Sequence, residues 1–230
     1  MRFLATNDDG IHAPGLALLV QAFSGLGHVS VVAPTEELSG CGHQVTSYRP
    51  LTATNVANDH HMVDGTPADC TRLGLLELAP DIDWVVSGVN RGGNLGVDVY
   101  MSGTVAAARE AALLGKPAVA FSRFRRSQEP VDWEALLPLM SKVFDVLQSL
   151  TWEPGTFWNV NFPDIDDNSK TNGPKIVICP LESAHLKFRY ELEQGKYLVR
   201  GDYAGRPRNQ GSDVDVCFSG NIAVTRLSVT

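Results

Sequence analysis

Apolar and polar positions in the first 163 residues alternate between short β-branched runs and longer stretches with helical spacing. Residues 2–6 and 28–34 are apolar runs of strand length, and the apolar positions of residues 15–27 recur with the period of a helix. Strand, helix and strand in this order predict a βαβ unit, in which the two strands run parallel.

The same alternation continues along the chain. It predicts helices within residues 64–78, 103–117 and 131–150, and strands at residues 83–90, 117–122 and 156–163. Thr66, Pro67 and Asp69 have the residue types and spacing of a helix N-terminus, and Pro138 either kinks the last of these helices or marks its true start. We therefore predict an α/β fold with a doubly wound, mainly parallel sheet.

After residue 163 the pattern changes. Three strand-like runs, at residues 175–180, 188–201 and 221–229, follow one another without a predicted helix, and a polar, turn-rich segment at 164–175 precedes them. We interpret residues 1–163 as the core and residues 164–230 as an arm of antiparallel β-hairpins with a C-terminal strand. Both belong to the same single domain, and the arm is expected to act in oligomerisation.

Composition narrows the class of protein. With 230 residues and 43% hydrophobic content the chain can bury a sizeable core, while its net charge of −7 argues against a general binder of duplex nucleic acid. No segment approaches the ~20 apolar residues that span a bilayer. The four cysteines are scattered without a C-x-x-C pair, which is typical of reduced thiols. We expect a cytoplasmic protein with no membrane partner.

Two adjacent acids, Asp8 and Asp9, follow the first predicted strand, where dinucleotide-binding proteins carry glycines. Their charges would repel a pyrophosphate, so an anionic ligand at this edge requires a bridging cation. Carboxylate, hydroxyl and amide oxygens suit one divalent ion, Mg²⁺ or Mn²⁺, better than Zn²⁺. The alternative is that Asp8 caps the next helix and Asp9 is merely solvated.

A second set of polar residues follows the strand at 83–90. Asn90 offers a neutral oxygen to a metal, and Ser102 and Thr104 immediately precede a helix whose free N–H groups attract anions. The alternative is that Ser102 or Thr104 simply caps that helix. Because the ends of parallel strands meet at one edge of a sheet, a cation site facing an anion site there indicates phosphate.

Several motifs together resemble the SurE (survival protein E) nucleotidases. They are TNDDG, LSG, VDGTPADC, VVSGVNRGGNLGVDVYMSGTVAAAREA and WNVNFP. The similarity runs from residue 1 to about residue 122 and resumes near residues 157–163. It implies a Rossmann-like core and a metal-dependent phosphatase acting on nucleoside 5′- and 3′-monophosphates. It also implies homodimers or homotetramers built through an exchanged C-terminal segment.

The resemblance also assigns residues. The family's metal ligands fall on Asp8, Asp9, Ser39 and Asn90, and its phosphate-binding positions fall on Asn94, Ser102, Gly103 and Thr104. For catalysis we expect Asp8 or Asp9 to accept a proton from water, and Asn94 with the helix start at 102–104 to stabilise the developing charge. Departures from the family pattern are Cys41 and His43 beside the Ser39 loop, and Arg226 in the last strand.

The remaining chemistry-bearing residues favour no different site. His60 and His61 are adjacent on a predicted strand and point to opposite faces, so they cannot readily chelate one metal. His12 and His43 lie nearer the predicted site as possible proton donors. The rival function is a non-catalytic nucleotide-binding regulatory module. A dehydrogenase is disfavoured, since the first loop lacks G-x-G-x-x-G.

Overall fold

The structure, a computed structural model, describes residues 1–126, 132–164 and 173–229. Its strands are β1 Arg2–Thr6, β2 His28–Pro34, β3 Ala53–Ala57, β4 His60–Val63, β5 Trp84–Arg91, β6 Ala118–Arg123, β7 Thr156–Phe162, β8 Ile176–Ile178, β9 Arg189–Glu193, β10 Lys196–Arg200 and β11 Ile222–Ser228. Its α-helices are α1 Pro14–Ser24, α2 Pro67–Leu73, α3 Gly103–Leu113, α4 Leu137–Ser149 and α5 Asp213–Phe218.

Nine strands form one sheet in the order β3-β4-β2-β1-β5-β6-β7-β11-β8. The pairs from β4 to β7 are parallel, whereas β3 is antiparallel to β4 and β11 is antiparallel to β7. The chain moves outward from β1 to β2 and then returns to place β5 on the other side of β1. This reversal is the switch point at which open α/β sheets bind ligands. The predicted doubly wound, mainly parallel fold is confirmed.

Helices cover both faces of the sheet. On one face α1 and α4 pack against the strands around three rings, Phe3, Phe23 and Phe144, whose centroids lie 5.0–5.6 Å apart in edge contacts. On the other face α2 and α3 enclose a second buried cluster that includes Leu4 and Val105. Both faces of the parallel strands are therefore buried, as expected from the apolar runs at 2–6 and 117–122.

The predicted C-terminal antiparallel hairpin is confirmed by β9 and β10, which form a two-stranded sheet of their own. The other two predicted strands of the tail, β8 and β11, join the main sheet instead. A short helix, α5, also lies between the hairpin and β11, where no helix was predicted. It was missed because Val214 and Val216 alternate with acids as in a strand, and only its cap, Ser212, marks a helix start.

Two other local predictions can be compared with the structure. Thr66 and Asp69 form a complete capping box at the start of α2, as predicted. Pro138 lies in the first turn of α4, after a 3₁₀ turn at Glu134–Leu136, so it marks the start of the helix. The polar, turn-rich segment predicted at 164–175 lies mostly outside the described residues. No helix in the described ranges is long and apolar enough to cross a membrane.

Candidate functional site

The two acids Asp8 and Asp9 lie just beyond the carboxyl end of β1, at the switch point of the sheet. Asp8 is 4% exposed, and its Oδ1 accepts a hydrogen bond from the Thr104 hydroxyl at 2.5 Å. Burial raises the pKa of Asp8, while the Thr104 hydroxyl and the backbone N–H groups of Thr104, Asp8 and Gly103 oppose the shift. The Asp8 carboxylate thus meets the N-terminus of α3 directly.

Asp9 is partly exposed, and its surroundings disfavour its negative charge. Burial, the neighbouring Asp8 charge and the Glu37 charge raise the pKa of Asp9 to about 6, against weaker opposition from the backbone and charge of Arg91. Both carboxyl groups have raised pKa values, so two negative charges side by side are unfavourable here. A bound cation would offset their repulsion.

The loop after β2 lies against this pair. The backbone N–H of Leu38 donates to the Asp8 carbonyl at 2.8 Å, and the N–H of Gly42 donates to the Met101 carbonyl at 3.0 Å. Ser39 follows Leu38 and is exposed, and its hydroxyl donates to Glu37 at 2.7 Å. A hydroxyl that donates its proton keeps its oxygen lone pairs for a metal.

Asn90 is presented by an irregularity in β5. The pairing of β5 with β6 shifts register between Ser87 and Asn90, and Gly88 there has φ +126°. A side chain at Gly88 would place its Cβ 2.3 Å from the Phe121 carbonyl oxygen, so only glycine fits. The Asn90 amide nitrogen donates to the Gly92 carbonyl at 3.0 Å, which leaves its Oδ1 as the atom offered to a cation.

The predicted ligand set fits one hard divalent ion. Its donors are carboxylate, hydroxyl and amide oxygens, as Mg²⁺ and Mn²⁺ prefer. Within the described residues the buried oxygens Thr6 Oγ1, Asn7 Oδ1 and Ser87 Oγ, on or just after β1 and β5, have no hydrogen-bond partner. These unpaired polar atoms are available for hydrogen bonds with the waters of a bound ion. No three His, Cys, Asp or Glu side chains cluster in these ranges, so a carboxylate- or thiolate-only site is not formed.

The start of α3 is the predicted anion side of the site. Ser102 is the N-cap, and its Oγ accepts from the Val105 N–H at 3.1 Å, so the capping alternative is realised. The Thr104 hydroxyl is turned to Asp8 and buried, which leaves backbone N–H groups as the donors nearest to Asp8. A Cβ at Gly103 would lie 2.7 Å from Asp8 Cβ and 2.9 Å from Cys41 Sγ.

Asn94 lies apart from these contacts and is held from β6 and β7. Its Nδ2 donates to Ser122 Oγ at 2.8 Å, and its backbone N–H donates to Asn161 Oδ1 at 2.8 Å. Asn159 and Asn161 both donate to its carbonyl. These supporting residues were not singled out from the sequence, although asparagines two apart on a buried strand were a visible signal.

Cys41 and His43 lie beside the predicted metal site in different surroundings. Burial and the Asp8 charge raise the pKa of the Cys41 thiol to about 11. His43 Nε2 lies 2.8 Å from the buried Glu110 carboxylate, which also pairs with Arg72. Burial opposes ionisation of Glu110, but hydrogen bonds from His43 and Arg72 hold its pKa below the usual range.

Comparisons with known proteins agree on one family. The family model described as "Survival protein SurE" matches residues 3–187. The chain is 47% identical to the 5′-nucleotidase SurE of Geotalea uraniireducens, covering 99% of this chain and 92% of the relative. A Synechocystis sp. relative is 44% identical over the full length of both chains. The crystal structure of the SurE protein from Aquifex aeolicus has a TM-score of 0.86 at 32% identity, covering 100% of this chain and 94% of that one. The chain belongs to the SurE family.

Proposed function

We propose that this protein is a nucleotidase that hydrolyses nucleoside 5′-monophosphates, and also 3′-monophosphates, with one divalent metal ion, Mg²⁺ or Mn²⁺. The observation that carries the proposal is that two adjacent carboxyl groups with raised pKa values, the buried Asp8 and the partly exposed Asp9, lie at the switch point of the sheet, where Asp8 meets the N-terminus of α3. The name 5′-nucleotidase, borne by a relative 47% identical over 99% of this chain, supports the substrate class.

In this proposal each residue has a separate task. Asp8, Asp9, Ser39 and Asn90 hold the cation, which when bound neutralises the phosphoryl oxygens and makes water more acidic. The Thr104 hydroxyl fixes the Asp8 carboxylate through its Oδ1. Asp8 or Asp9 accepts the proton of the attacking water at a carboxylate oxygen.

As water adds to phosphorus, the bond to the nucleoside oxygen breaks, and the nucleoside leaves with a proton taken up from solvent. The phosphoryl group needs donors on the side away from the cation. Asn94 and the start of α3, at Ser102, Gly103 and Thr104, stabilise the charge that develops on the phosphoryl oxygens. The Thr104 hydroxyl and backbone N–H both face the Asp8 carboxylate, so of the two only the N–H is assigned to phosphate, once the cation offsets the Asp8 charge. For Asn94 the second Nδ2 hydrogen remains, since the contact with Ser122 uses one of the two.

The direct test is phosphate release from a panel of nucleoside 5′- and 3′-monophosphates. Release is expected with Mg²⁺ or Mn²⁺, none with EDTA, and a loss of about a hundredfold or more in Asp8→Asn and Asn90→Ala. Asp145→Asn and Asn55→Ala are matched controls on exposed positions of α4 and β3, and should behave as wild type. Bound nucleotide with no release under any metal would overturn the proposal and favour the binding-module alternative.

We also propose that the protein forms homodimers or homotetramers through its tail. The hairpin β9–β10 exposes a set of large apolar side chains that one chain alone does not bury, namely Tyr190, Leu192, Tyr197 and Val199. Such a patch is typical of an interface. Light scattering after size exclusion should give a mass of two or four chains, and a monomer at micromolar concentration would contradict this.

A further inference from the structure

The loop that leads from β5 to α3, residues 92–102, is held by hydrogen bonds and an ion pair from the C-terminal part of the chain. The Tyr203 hydroxyl donates to the Asp98 carboxylate at 2.8 Å. Arg206 pairs with the same carboxylate at 2.7 Å and also donates to the Leu95 carbonyl at 3.0 Å. Two side chains more than 100 positions away in sequence thus hold the middle of this loop.

Helix α5 supplies a third contact with the loop. Asp213 is fully buried, and its Oδ2 accepts the Gly96 N–H at 2.8 Å. Its Oδ1 is already occupied by the N–H groups of Glu182 and Val214, at 2.8 and 2.9 Å. The carboxylate therefore cannot turn away from the loop without losing two other hydrogen bonds. We call Tyr203, Arg206 and Asp213 the C-terminal clamp.

Arg206 and Asp213 of the clamp are buried, whereas Tyr203 is 41% exposed. The Arg206 side chain is 1% exposed, and its guanidinium lies 4.9 Å from the centroid of the Tyr203 ring. Gly96 has φ +55°, and a Cβ there would lie 3.0 Å from Arg206 Nη2. Since a buried ion pair that loses one partner leaves an unpaired charge, the Arg206–Asp98 contact resists opening.

Loop 92–102 carries predicted phosphate-binding residues and none of the four predicted metal ligands. Asn94 lies within it and Ser102 ends it, with the Ser102 N–H donating to the Asp98 carbonyl at 3.1 Å. Asp8, Asp9 and Ser39 lie on other loops, and Asn90 precedes the loop at the end of β5. A shift of the loop would move the start of α3 relative to the metal edge, and would strain the contacts of Asn94 with Ser122, Asn159 and Asn161.

We propose that Tyr203, Arg206 and Asp213 are positioning residues, which hold loop 92–102 so that Asn94 and the start of α3 face the cation. The inference rests on the proposed function for its catalytic consequence, but its structural part is independent. Misplacing a donor by about 1 Å costs as much as a hundredfold in rate, so loosening the clamp should lower kcat.

Asp213→Asn and Tyr203→Phe test the clamp with minimal change of shape. An asparagine at 213 that keeps its oxygen on Glu182 and Val214 turns its NH₂ group to the Gly96 N–H, where two donors repel. Phenylalanine at 203 removes the hydroxyl and retains the ring contacts with Phe124 and Phe218. The controls are Asp215→Asn, also in the first turn of α5, and Tyr197→Phe, on the hairpin.

We expect kcat to fall about tenfold or more in both clamp variants, with KM and the Mn²⁺ concentration for half-maximal activity within about threefold of wild type. Hydrogen exchange of the amides at 93–101 should quicken about tenfold, and the controls should change neither quantity. Tyr203→Phe decides the test if Asp213→Asn does not fold.

Unchanged exchange in the loop, or equal changes in the controls, would overturn the clamp. Faster exchange with unchanged kcat would also overturn it, because the loop would then be held for stability alone. If the wild-type protein releases no phosphate, the proposed function fails, and amide exchange still decides whether the clamp holds the loop.

Discussion

Gly103 is the residue at which helix α3 and the Asp8 carboxylate come closest. Its backbone is helical, so an alanine there is disfavoured only by its Cβ, which would lie 2.7 Å from Asp8 Cβ and 2.9 Å from Asp8 Oδ2. The helix start and the acid must then separate. This contact shows why a small residue is needed where the Asp8 loop meets a helix N-terminus.

Gly103→Ala should therefore lower metal-dependent phosphate release about tenfold or more, and cost about 1–3 kcal/mol of stability through overpacking. Gly25→Ala at the end of α1 is the matched control, since nothing lies within 4 Å of its Cβ position. Activity and urea denaturation of the two variants measure both effects. Wild-type activity in Gly103→Ala would show that the close approach has no role.

The charge on Asp9 predicts how the metal-free protein responds to pH. The pKa of Asp9 is about 6 in the folded protein and about 3.8 when unfolded, so the folded state binds more protons between these values. Below pH ~3.8 this carboxyl does not destabilise the folded protein. Its destabilising effect grows as pH rises and is complete above pH ~6. Asp9→Asn removes the charge from both states.

With EDTA present, Asp9→Asn should raise the free energy of unfolding by about 1–2 kcal/mol at pH 7.5 and change it little at pH 4. Thermal unfolding at the two values measures the difference, with Asp145→Asn as the control. Equal stabilisation at both pH values, or destabilisation at pH 7.5, would contradict the origin given for the raised pKa.

The site residues themselves show what a sequence pattern can predict. Adjacent acids after a strand are a local signal, and Asp8 and Asp9 do lie at the switch point of the sheet. The direction of a side chain is not local. Thr104 was expected on the phosphate side, but in the structure its hydroxyl donates to Asp8, 96 positions away. The asparagines of β7 were a visible signal, but their contact with Asn94 depends on the fold.

Among the elements, α2 shows how one helix start stabilises two segments. The Thr66 hydroxyl accepts the Asp69 N–H at 3.1 Å and donates to the Gln44 carbonyl at 2.6 Å. The Asp69 carboxylate in turn accepts the N–H groups of Thr66 and Thr46, at 3.0 and 2.9 Å. The capping box thus also anchors the segment that follows the Ser39 loop.

Thr66→Ala should lower the free energy of unfolding by about 1–2 kcal/mol, because it leaves the Asp69 N–H and the Gln44 carbonyl without their partner. Thr66→Ser keeps the hydroxyl and should recover most of that loss. Urea denaturation of both variants gives the comparison. Equal losses in the two would mean that the methyl group, and not the cap, stabilises this site.

Elements with strong local signals were predicted well, and those that depend on distant partners were not. The strand–helix alternation up to β7 and the capping box of α2 follow from periodicity and cap residues. The strand β3 is exposed along its whole length and so shows no apolar alternation. The pairing partners of β8 and β11 were not predicted, because the sequence of a strand does not specify which distant strand it pairs with.

At the scale of the molecule, the last strand belongs to the sheet while the hairpin does not. Strand β11 pairs with β7 on one side and β8 on the other, and its Val224 is fully buried. Its Arg226, a departure from the family pattern, pairs with Glu153 at 2.6 Å. In the hairpin, Val199 is 55% exposed.

Val224→Asp should therefore cost more than about 3 kcal/mol by burying an unpaired carboxylate, whereas Val199→Asp should change the stability of the single chain by less than about 0.5 kcal/mol. The hairpin variant should instead weaken self-association. Thermal unfolding and light scattering separate the two effects. A stable Val224→Asp protein would contradict the place of β11 within the sheet.

The central claim is that Asp8, Asp9, Ser39 and Asn90 hold one cation that meets phosphate at the start of α3. A crystal soaked with Mn²⁺ and inorganic phosphate tests it most directly, through the anomalous signal of manganese. The account predicts one manganese peak within bonding distance of oxygens of these four residues, with phosphate between it and the backbone N–H groups at 102–104. A manganese peak elsewhere, or phosphate bound away from α3, would contradict it.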